Sequence, residues 1–352
     1  MSYCIIFNIW LFVNSGVFQI AKWSERNEIN RMKYPLKLQA PLKDYLWGGT
    51  RLKEEYHKKS NLEKVAESWE LSCHKDGSSV IVNGECKGMT LPEYLQQEGK
   101  DVLGTHAQGF ENFPMLIKLI DAEDNLSVQV HPNNDYALRV EGEYGKTEMW
   151  YIVDCKEGAS LLYGFNQEIS KEEFAKRIED NTLLEVTNQV PVHKGDVFFI
   201  EAGTLHAIGK GILIAEIQQN SNTTYRIYDY GRVGADGKPR ELHIDKAKDV
   251  THLVPPTRDC KPQGQPEHKE GYTSTLLASC EYFTVHRLEI EQRACLFAGE
   301  ESFDSILVLD GEFELDYGFG SLGLIKGDSV FIPAHLGEYE LIGTGDVILS
   351  RI

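Results

Sequence analysis

The sequence lacks several features that would place it in common classes of protein. Its seven cysteines are scattered and include no Cys-x-x-Cys pair, which argues against a disulfide framework and is typical of reduced thiols in a cytoplasm. No glycine-rich nucleotide-binding segment is present, which excludes a nucleotide-binding domain. Lys and Arg total 36 against 54 Asp and Glu, and the formal charge of −18 is spread along the chain. We therefore predict neither nucleic acid nor a membrane as a partner.

Residues 1–31 also lack the marks of a targeting segment. A signal peptide has positive charge before its apolar core and a small-residue cleavage site after it. The apolar stretch 4–21 has neither. A membrane helix needs about 20 apolar residues, whereas polar residues interrupt the stretch 4–21. We predict an upstream extension or start-site artefact that is not part of the fold, with Met32 as a natural start. A weak anchor and a signal remain the alternatives.

The rest of the chain is dominated by short alternating segments, which predict a mostly β protein. Residues 89–106 are predicted to be helical, and residues 169–190 to form one helix or two short helices, because Thr90 and Ser170 are each followed three residues later by glutamate, as in a capping box. Residues 147–155 and 159–165 are predicted to be a pair of strands around a short turn.

The domain boundaries follow from changes in pattern. We predict a first domain over residues 32–255, with short helical segments, and a proline-rich linker over 256–271. Residues 272–352 contain only short alternating segments with frequent turns, which predict a second, all-β sandwich or barrel. Because this second domain has no counterpart of the Gln-x-His pair described below, we predict that it binds no metal.

An internal repeat connects the two domains. Residues 194–209 and 326–341 both begin with Lys-Gly-Asp, continue as a strand, and then turn into another strand. The repeat predicts two copies of one β module. In the gap-free alignment His206 falls opposite Glu338, so we predict that the first copy carries the site and that the second is a structural partner.

Four residues have the character of metal ligands. Gln129 and His131 are two apart in a short apolar strand and therefore share one face. Glu148 and His206 complete the set, and the segment from Gly195 to His206 resembles the second motif of the cupin superfamily. Two imidazoles, a carboxylate and an amide oxygen suit a divalent ion such as zinc.

Several segments together resemble the type I mannose-6-phosphate isomerases, in particular the short bacterial form. They are YPLKLQAPLKDYLWGGTRLK, QVHPN, GKTEMWY, AGTLHAIG and EIQQNSNTTYRIYDYGR, and the resemblance extends from about residue 32 to 352. One departure is Asn134, where an acidic residue commonly follows His-Pro-Asn. The resemblance implies two cupin-type jelly-roll β-barrels with a few short helices, and one Zn²⁺ per chain on the four ligands.

The same resemblance implies reversible conversion of mannose 6-phosphate and fructose 6-phosphate through a cis-enediol. It assigns Arg226, Lys118 and Glu216 as catalytic residues, and Ser127, Lys146, Glu67 and Asn222 as substrate-binding residues. Lys118 also stands out without the resemblance, because a charge inside so apolar a strand needs a partner or a substrate. The base stays open among Glu216, Lys118, Lys146 and a water on the metal.

Two other functions remain possible from the sequence. An iron-dependent cupin dioxygenase favours two histidines and one carboxylate, and this set adds Gln129. A non-catalytic sugar-binding cupin would keep the site without turnover. We expect a cytoplasmic monomer or weak homodimer. The other nine histidines lie in polar or turn segments and are predicted to be solvated.

Overall fold

The computed structural model describes residues 33–233 and 237–352. The predicted extension, residues 1–31, lies outside the described residues. Among the helices that are described, none is both long enough and apolar enough to cross a membrane.

Short alternating segments form the strands of the first part of the chain. These are β1 (Leu36–Gln39), β2 (Leu42–Lys43), β3 (Glu67–Leu71), β4 (Cys73–His74), β5 (Gly77–Ser78), β6 (Val80–Ile81), β7 (Met115–Ala122), β8 (Val128–Val130), β9 (Glu148–Cys155), β10 (Ser160–Phe165), β11 (Thr187–Pro191), β12 (Val197–Ile200), β13 (His206–Ala207), β14 (Ile212–Gln219) and β15 (Tyr225–Tyr228).

The last part of the chain contains longer strands. These are β16 (Glu267–Lys269), β17 (Tyr272–Ser279), β18 (Thr284–Ile290), β19 (Arg293–Ala298), β20 (Asp304–Asp316), β21 (Ser321–Ile325), β22 (Ser329–Ile332) and β23 (Gly337–Arg351). The first of them, β16, lies within the predicted linker and pairs with β17.

Short helices connect the strands. The α-helices are α1 (Arg51–Glu54), α2 (Leu91–Glu98), α3 (Asn134–Val140), α4 (Lys171–Glu179) and α5 (Ile244–Val250), and 3₁₀ turns span Lys100–Leu103, Thr105–Gly109 and Leu183–Val186. The capping box is confirmed at α2, where Thr90 Oγ1 accepts from Glu93 N and the Glu93 carboxylate accepts from Thr90 N. At α4, Ser170 Oγ accepts from Glu173 N at 3.1 Å.

The prediction of one helix or two short helices over residues 169–190 was wrong at its carboxyl-terminal end. After α4 and the third 3₁₀ turn, residues 187–191 form β11, which hydrogen-bonds with β10 from Ser160 to Phe165. Thr187 and Val190 are β-branched, and pairing with an available strand decides the conformation of so short a segment.

Two sheets form the first sandwich. One has the strand order β11-β10-β13-β8-β15 and the other β12-β9-β14-β7-β3-β2. Apolar side chains of both sheets meet between them, among them Tyr163 of β10, Phe198 of β12 and Trp150 of β9. Helices α4 and α5 supply Phe174 and Ala247 to a separate apolar cluster, which also contains residues of the five-stranded sheet.

The predicted pairing of β9 with β10 was wrong, although both strands exist. Strand β9 pairs with β12 and β14, whereas β10 pairs with β11 and β13. The turn between β9 and β10 therefore carries the chain from one layer of the sandwich to the other.

A ten-stranded sheet forms the second half. Its order is β16-β17-β18-β23-β20-β22-β1-β6, with β19 on β23 and β21 on β20. Two strands from the first part of the chain, β1 and β6, belong to this sheet because β1 pairs with β22. A continuous apolar cluster joins the halves and contains Ile117, Ala215 and Phe331. The exact domain boundaries stay a prediction.

The internal repeat is visible in the backbone. Gly195 and Gly327, in the two Lys-Gly-Asp turns, have φ of 95° and 88°. Eight residues further along the gap-free alignment, Gly203 and His335 also have positive φ, at 93° and 65°. The prediction of a mostly β fold is confirmed, and the two Lys-Gly-Asp turns share one backbone geometry, but the sheets that the described residues form are open and do not close into the predicted barrels.

Candidate metal centre and active-site cavity

The predicted metal ligands meet between the two sheets of the first sandwich. His206 of β13 is directly opposite Gln129 of β8 in the five-stranded sheet, and Glu148 begins β9 in the other sheet. The ligand atoms of His131, Glu148 and His206 lie within 4.8 Å of one another. All three side chains are buried, so the fold brings polar groups into the interior of the sandwich.

Backbone carbonyls fix the orientation of both imidazole rings. His131 Nδ1 lies 2.9 Å from the Thr223 carbonyl, and His206 Nδ1 lies 2.8 Å from the Thr204 carbonyl. Because a carbonyl only accepts, Nδ1 carries the proton in each neutral ring. The Nε2 lone pairs then face Glu148, with Nε2–carboxylate distances of 3.7 Å and 3.4 Å.

Burial also keeps both rings neutral. It lowers the pKa of His206 to about 4 and the pKa of His131 well below its usual value, and the Lys146 ammonium adds to the lowering of both. Neutral imidazole is the form that binds metals, and a fixed Nδ1–H is the usual support of a ligating histidine.

The donor set fits a cation. Glu148 is buried, and its Oε1 accepts no hydrogen bond from the described residues. The Lys146 ammonium lies 2.8 Å from Glu148 Oε2 and 3.1 Å from His131 Nε2, which shows that these lone pairs converge on positive charge. Gln129 Nε2 is 3.3 Å from His206 Nε2. Exchange of the two amide atoms, which are assigned from contacts, would direct the oxygen of Gln129 at the cluster.

A cavity of about 260 Å³ lies beside the cluster. Its lining residues are Tyr45, Trp47, Glu67, Lys118, Ile120, Leu126, Ser127, Gln129, Lys146, Ile208, Glu216, Asn222, Thr224, Arg226 and Arg240. Every predicted catalytic and substrate-binding residue is among them. A larger cavity of about 790 Å³ lies elsewhere and contains none of these residues.

One wall of the cavity carries a buried acid–base network. Lys118 of β7 and Glu216 of β14 are cross-strand neighbours, and Lys118 Nζ lies 3.1 Å from Glu216 Oε1 and 3.7 Å from Glu67 Oε2. Trp150 Nε1 donates to Glu216 Oε2 at 2.9 Å, and Trp69 Nε1 donates to Glu67 Oε2 at 2.7 Å. The indole donors hold both carboxylates in place.

The network fixes which groups are charged. Burial alone would raise the pKa of Glu216, but the ammonium groups of Lys146 and Lys118 outweigh burial and lower it to about 2. Burial alone would lower the pKa of Lys118, but Glu67 and Glu216 outweigh burial and raise it. Glu216 is therefore a carboxylate and Lys118 an ammonium at neutral pH.

Arginines line another part of the cavity. Arg226 of β15 is opposite Gln129 of β8, its Nε donates to Ser127 Oγ at 3.3 Å, and its Nη1 donates to the Glu241 carbonyl at 2.9 Å. Arg240 reaches the same cavity and was missed in the sequence. It follows a turn-rich segment, where no periodicity indicates the direction of a side chain.

The fold and the site define a cupin-type β protein with a buried histidine–carboxylate cluster beside a charged cavity. Two family descriptions match the chain: "Phosphomannose isomerase type I, catalytic domain" over residues 36–158, and "Mannose-6-phosphate isomerase, cupin domain" over residues 272–352. The mannose-6-phosphate isomerase ManA of Bacillus subtilis is 40% identical over 319 residues, which are 90% of this chain and 99% of that protein.

Further relatives agree. The mannose-6-phosphate isomerase of Streptococcus mutans is 38% identical over 320 residues, covering 91% of this chain and 99% of that protein. The crystal structure of the mannose 6-phosphate isomerase from Bacillus subtilis matches with a TM-score of 0.83 and 37% identity, over 90% of this chain and 99% of that one. The chain belongs to the type I phosphomannose isomerase family, as the sequence resemblance predicted.

Proposed function

We propose that the protein is a zinc-dependent aldose–ketose isomerase that interconverts mannose 6-phosphate and fructose 6-phosphate through a cis-enediol. The observation that carries the proposal is the buried cluster of His131, Glu148 and His206 next to a cavity lined by ionised acid, base and arginine side chains. The names of the relatives above support the choice of substrate.

Gln129, His131, Glu148 and His206 would hold one Zn²⁺ per chain. When bound, zinc supplies a Lewis acid that polarises a carbonyl oxygen of the opened sugar. The protein contributes neutral imidazoles whose orientation is fixed by backbone carbonyls, so the two rings need not reorient on binding, whereas the Lys146 ammonium has to move away from the ligand atoms.

The proton transfer is assigned to the buried network. Glu216 is ionised and therefore able to accept the proton from C2 of the opened aldose and to return it to C1, while the hydroxyl proton on O2 passes to the oxygen on C1, and the two transfers together convert aldose into ketose. The Lys118 ammonium, 3.1 Å from Glu216, keeps the carboxylate ionised and donates a hydrogen bond to a sugar oxygen. Burial makes such fixed charges more effective than they are in water.

The remaining predicted residues bind the substrate. Arg226 stabilises negative charge on the reacting oxygens or the phosphate, because a guanidinium offers several donors in one plane. Glu67 and Asn222 line the cavity and are suited to sugar hydroxyls. Ser127 is hydrogen-bonded to Arg226, and Lys146 supplies a further positive charge beside the cluster.

A coupled assay on mannose 6-phosphate, with and without a chelator, tests the proposal. We expect about one zinc per chain by metal analysis, turnover that is lost on chelation, and recovery when zinc is restored. The same assay without oxygen separates the isomerase from an iron-dependent dioxygenase, since only the dioxygenase would stop. Full turnover by metal-free protein would contradict the proposal.

Cytoplasmic location and a monomeric or weakly dimeric state are further parts of the proposal. Cell fractionation tests the location, and sedimentation at several protein concentrations tests the oligomeric state.

A further inference from the structure

We propose that Glu143 is a positioning residue for the active site. Its carboxylate holds the segment 220–224, which presents the Thr223 carbonyl to His131. The same segment places the Asn222 side chain at the cavity. The role of zinc in this inference rests on the proposed function, but the effect of Glu143 on metal binding is measurable without any substrate.

The segment 220–224 connects the two sheets of the first sandwich. It follows β14 of one sheet and precedes β15 of the other, so no strand pairing fixes its backbone, and its polar groups need other partners. The Thr223 carbonyl lies 2.9 Å from His131 Nδ1, and Asn222 lines the cavity beside the cluster. The conformation of this segment therefore affects a proposed metal ligand and the substrate cavity together.

Glu143 contacts the segment at two consecutive residues. Its Oε2 accepts a hydrogen bond from Thr223 Oγ1 at 3.3 Å and from Asn222 N at 3.4 Å. Both bonds are longer than average, but the negative charge of the acceptor strengthens them. Because both end on one oxygen, they restrain the backbone on either side of the peptide group that joins Asn222 to Thr223.

Glu143 is itself held through its other oxygen by the hairpin of β4 and β5. The Lys75 ammonium lies 2.5 Å from Glu143 Oε1, and His74 Nε2 lies 3.6 Å from the same oxygen. Burial alone would raise the pKa of Glu143, but the Lys75 ammonium and the other donors around the carboxylate outweigh burial and lower it. The carboxylate is therefore ionised at neutral pH and connects the hairpin to the segment 220–224.

Asp76 provides a second link between the hairpin and the segment. Asn222 Nδ2 donates to Asp76 Oδ2 at 2.8 Å. Because a carboxylate only accepts, the amide nitrogen of Asn222 faces Asp76, and its amide oxygen is available to accept from a sugar hydroxyl. Asn222 is thus held at its backbone by Glu143 and at its side chain by Asp76.

Glu143 is not among the residues that line the cavity, so it acts through the segment and not on the reacting atoms. Its removal should leave the four proposed ligands in the chain but allow the Thr223 carbonyl to shift away from His131. A ligating imidazole whose Nδ1–H loses its fixed acceptor binds a metal less tightly. We therefore expect an effect of Glu143 on zinc affinity as well as on substrate affinity.

The test compares zinc-loaded Glu143→Ala with the zinc-loaded wild type, by equilibrium competition with a chromophoric chelator. We expect the dissociation constant for zinc to rise about 10-fold, at the lower end of the effects of groups that support metal ligands. KM for mannose 6-phosphate should rise about 3- to 10-fold, because Asn222 is less well placed. A merely structural role would lower the melting temperature and leave the zinc affinity of the folded protein unchanged.

The variant Thr223→Val tests the route of the effect. It keeps the carbonyl that faces His131 and removes only the hydroxyl that donates to Glu143, so the dissociation constant for zinc should rise about threefold. In the double variant of Glu143→Ala with Thr223→Val, the rise should equal that of Glu143→Ala alone, because both changes remove the same hydrogen bond.

Two further variants act as controls. Glu143→Gln keeps an acceptor oxygen for the segment 220–224 but not the charge, and should recover part of the zinc affinity that Glu143→Ala loses. Glu141→Ala is the matched control from the same part of the chain. Glu141 forms an ion pair with Lys246 at 2.7 Å and accepts from Tyr225 Oη at 2.8 Å, and its loss should leave zinc affinity as in the wild type.

The outcomes separate the two proposals. Wild-type zinc affinity in folded Glu143→Ala would overturn the inference, as would effects that simply multiply in the double variant. If zinc affinity falls as expected but the wild type does not interconvert the two sugar phosphates, the proposed function fails and the inference stands. If the wild type is a zinc-dependent isomerase and Glu143→Ala binds zinc equally well, the inference alone fails.

Discussion

The two modules of the molecule bury a carboxylate at the same point of equivalent strand pairs. In the first, Glu148 pairs with Ile200, at the end of the strand that follows the Lys-Gly-Asp turn. In the second, Asp304 pairs with Ile332 at the matching position. Both carboxylates are fully buried, so each module has to provide positive charge or hydrogen-bond donors for it.

The modules meet this requirement differently. In the second, Asp304 accepts hydrogen bonds from Tyr339 Oη at 2.7 Å and from Arg351 Nη2 at 2.9 Å. The charge of the Asp304 carboxylate is therefore balanced by the Arg351 guanidinium. In the first, Glu148 faces two neutral imidazoles and the single ammonium of Lys146. Each carboxylate therefore has a cation of the protein beside it, but Glu148 also faces two imidazole lone pairs, a donor set that suits a metal ion, whereas Asp304 faces a hydroxyl and a guanidinium.

The largest effect on zinc content and turnover is expected when one of the proposed metal ligands is removed from the first module. His206→Ala should lose zinc and reduce turnover at least about 100-fold, the order at which loss of one electrostatic stabiliser acts. Metal analysis and the coupled assay measure both effects on the same preparation. Retention of zinc and turnover would show that His206 is not a ligand.

The next largest effect is expected on stability, when the Arg351 guanidinium of the second module is removed. Arg351→Met should lower the free energy of unfolding by about 2 kcal/mol, less than for a fully buried pair because the Arg351 side chain is 37% exposed. Urea denaturation measures the change, with turnover unaltered. Arg293→Met, at an exposed ion pair with Glu270, is the control. Loss of zinc in Arg351→Met would contradict the proposal that the second module has no part in metal binding.

A smaller effect is expected at the hydroxyl that contacts Asp304. Tyr339→Phe removes one hydrogen bond and should cost about 1 kcal/mol of stability, with zinc content and turnover as in the wild type. The same urea denaturation measures it. An effect on metal binding would mean that the two modules are coupled through more than packing.

The smallest effect concerns pH. Burial lowers the pKa of His74 despite the nearby Glu143, so the folded protein binds this proton less well than the unfolded chain does. The stability from neutral His74 is present above its unfolded pKa of about 6.5 and is lost as pH falls through the folded pKa. His74→Gln should therefore flatten the fall in unfolding free energy below pH 6.5. His268→Gln, at an exposed histidine of the second module, should leave the slope unchanged.

The sequence could predict that His131, Glu148 and His206 lie close together as far as local patterns reach. A histidine and a glutamine at alternate positions of an apolar strand have to share a face, and Lys118 in an apolar strand needs partners. The structure places Glu216 and Glu67 around it. These are local rules, and they hold whatever the rest of the fold does.

The burial and direction of other side chains depend on contacts between segments distant in sequence, which no local pattern predicts. His74 was predicted to be solvated, but it is only 4% exposed and packs edge-on against Trp69. Arg240 was missed because its position follows from Asp229 and not from periodicity. In the repeat, the gap-free alignment placed Glu338 opposite His206, yet Glu338 is exposed and the neighbouring Tyr339 points inward. A shift of one residue exchanges the two faces of a strand.

The pairing of β1 with β22 has a consequence for how the chain is made. Leu36 leaves the ribosome among the first described residues, but its partner Phe331 is among the last of them. Contacts so distant in sequence form slowly. This part of the sheet cannot form until Phe331 has been synthesised, and until then the unpaired edge of β1 is a site for association with other chains.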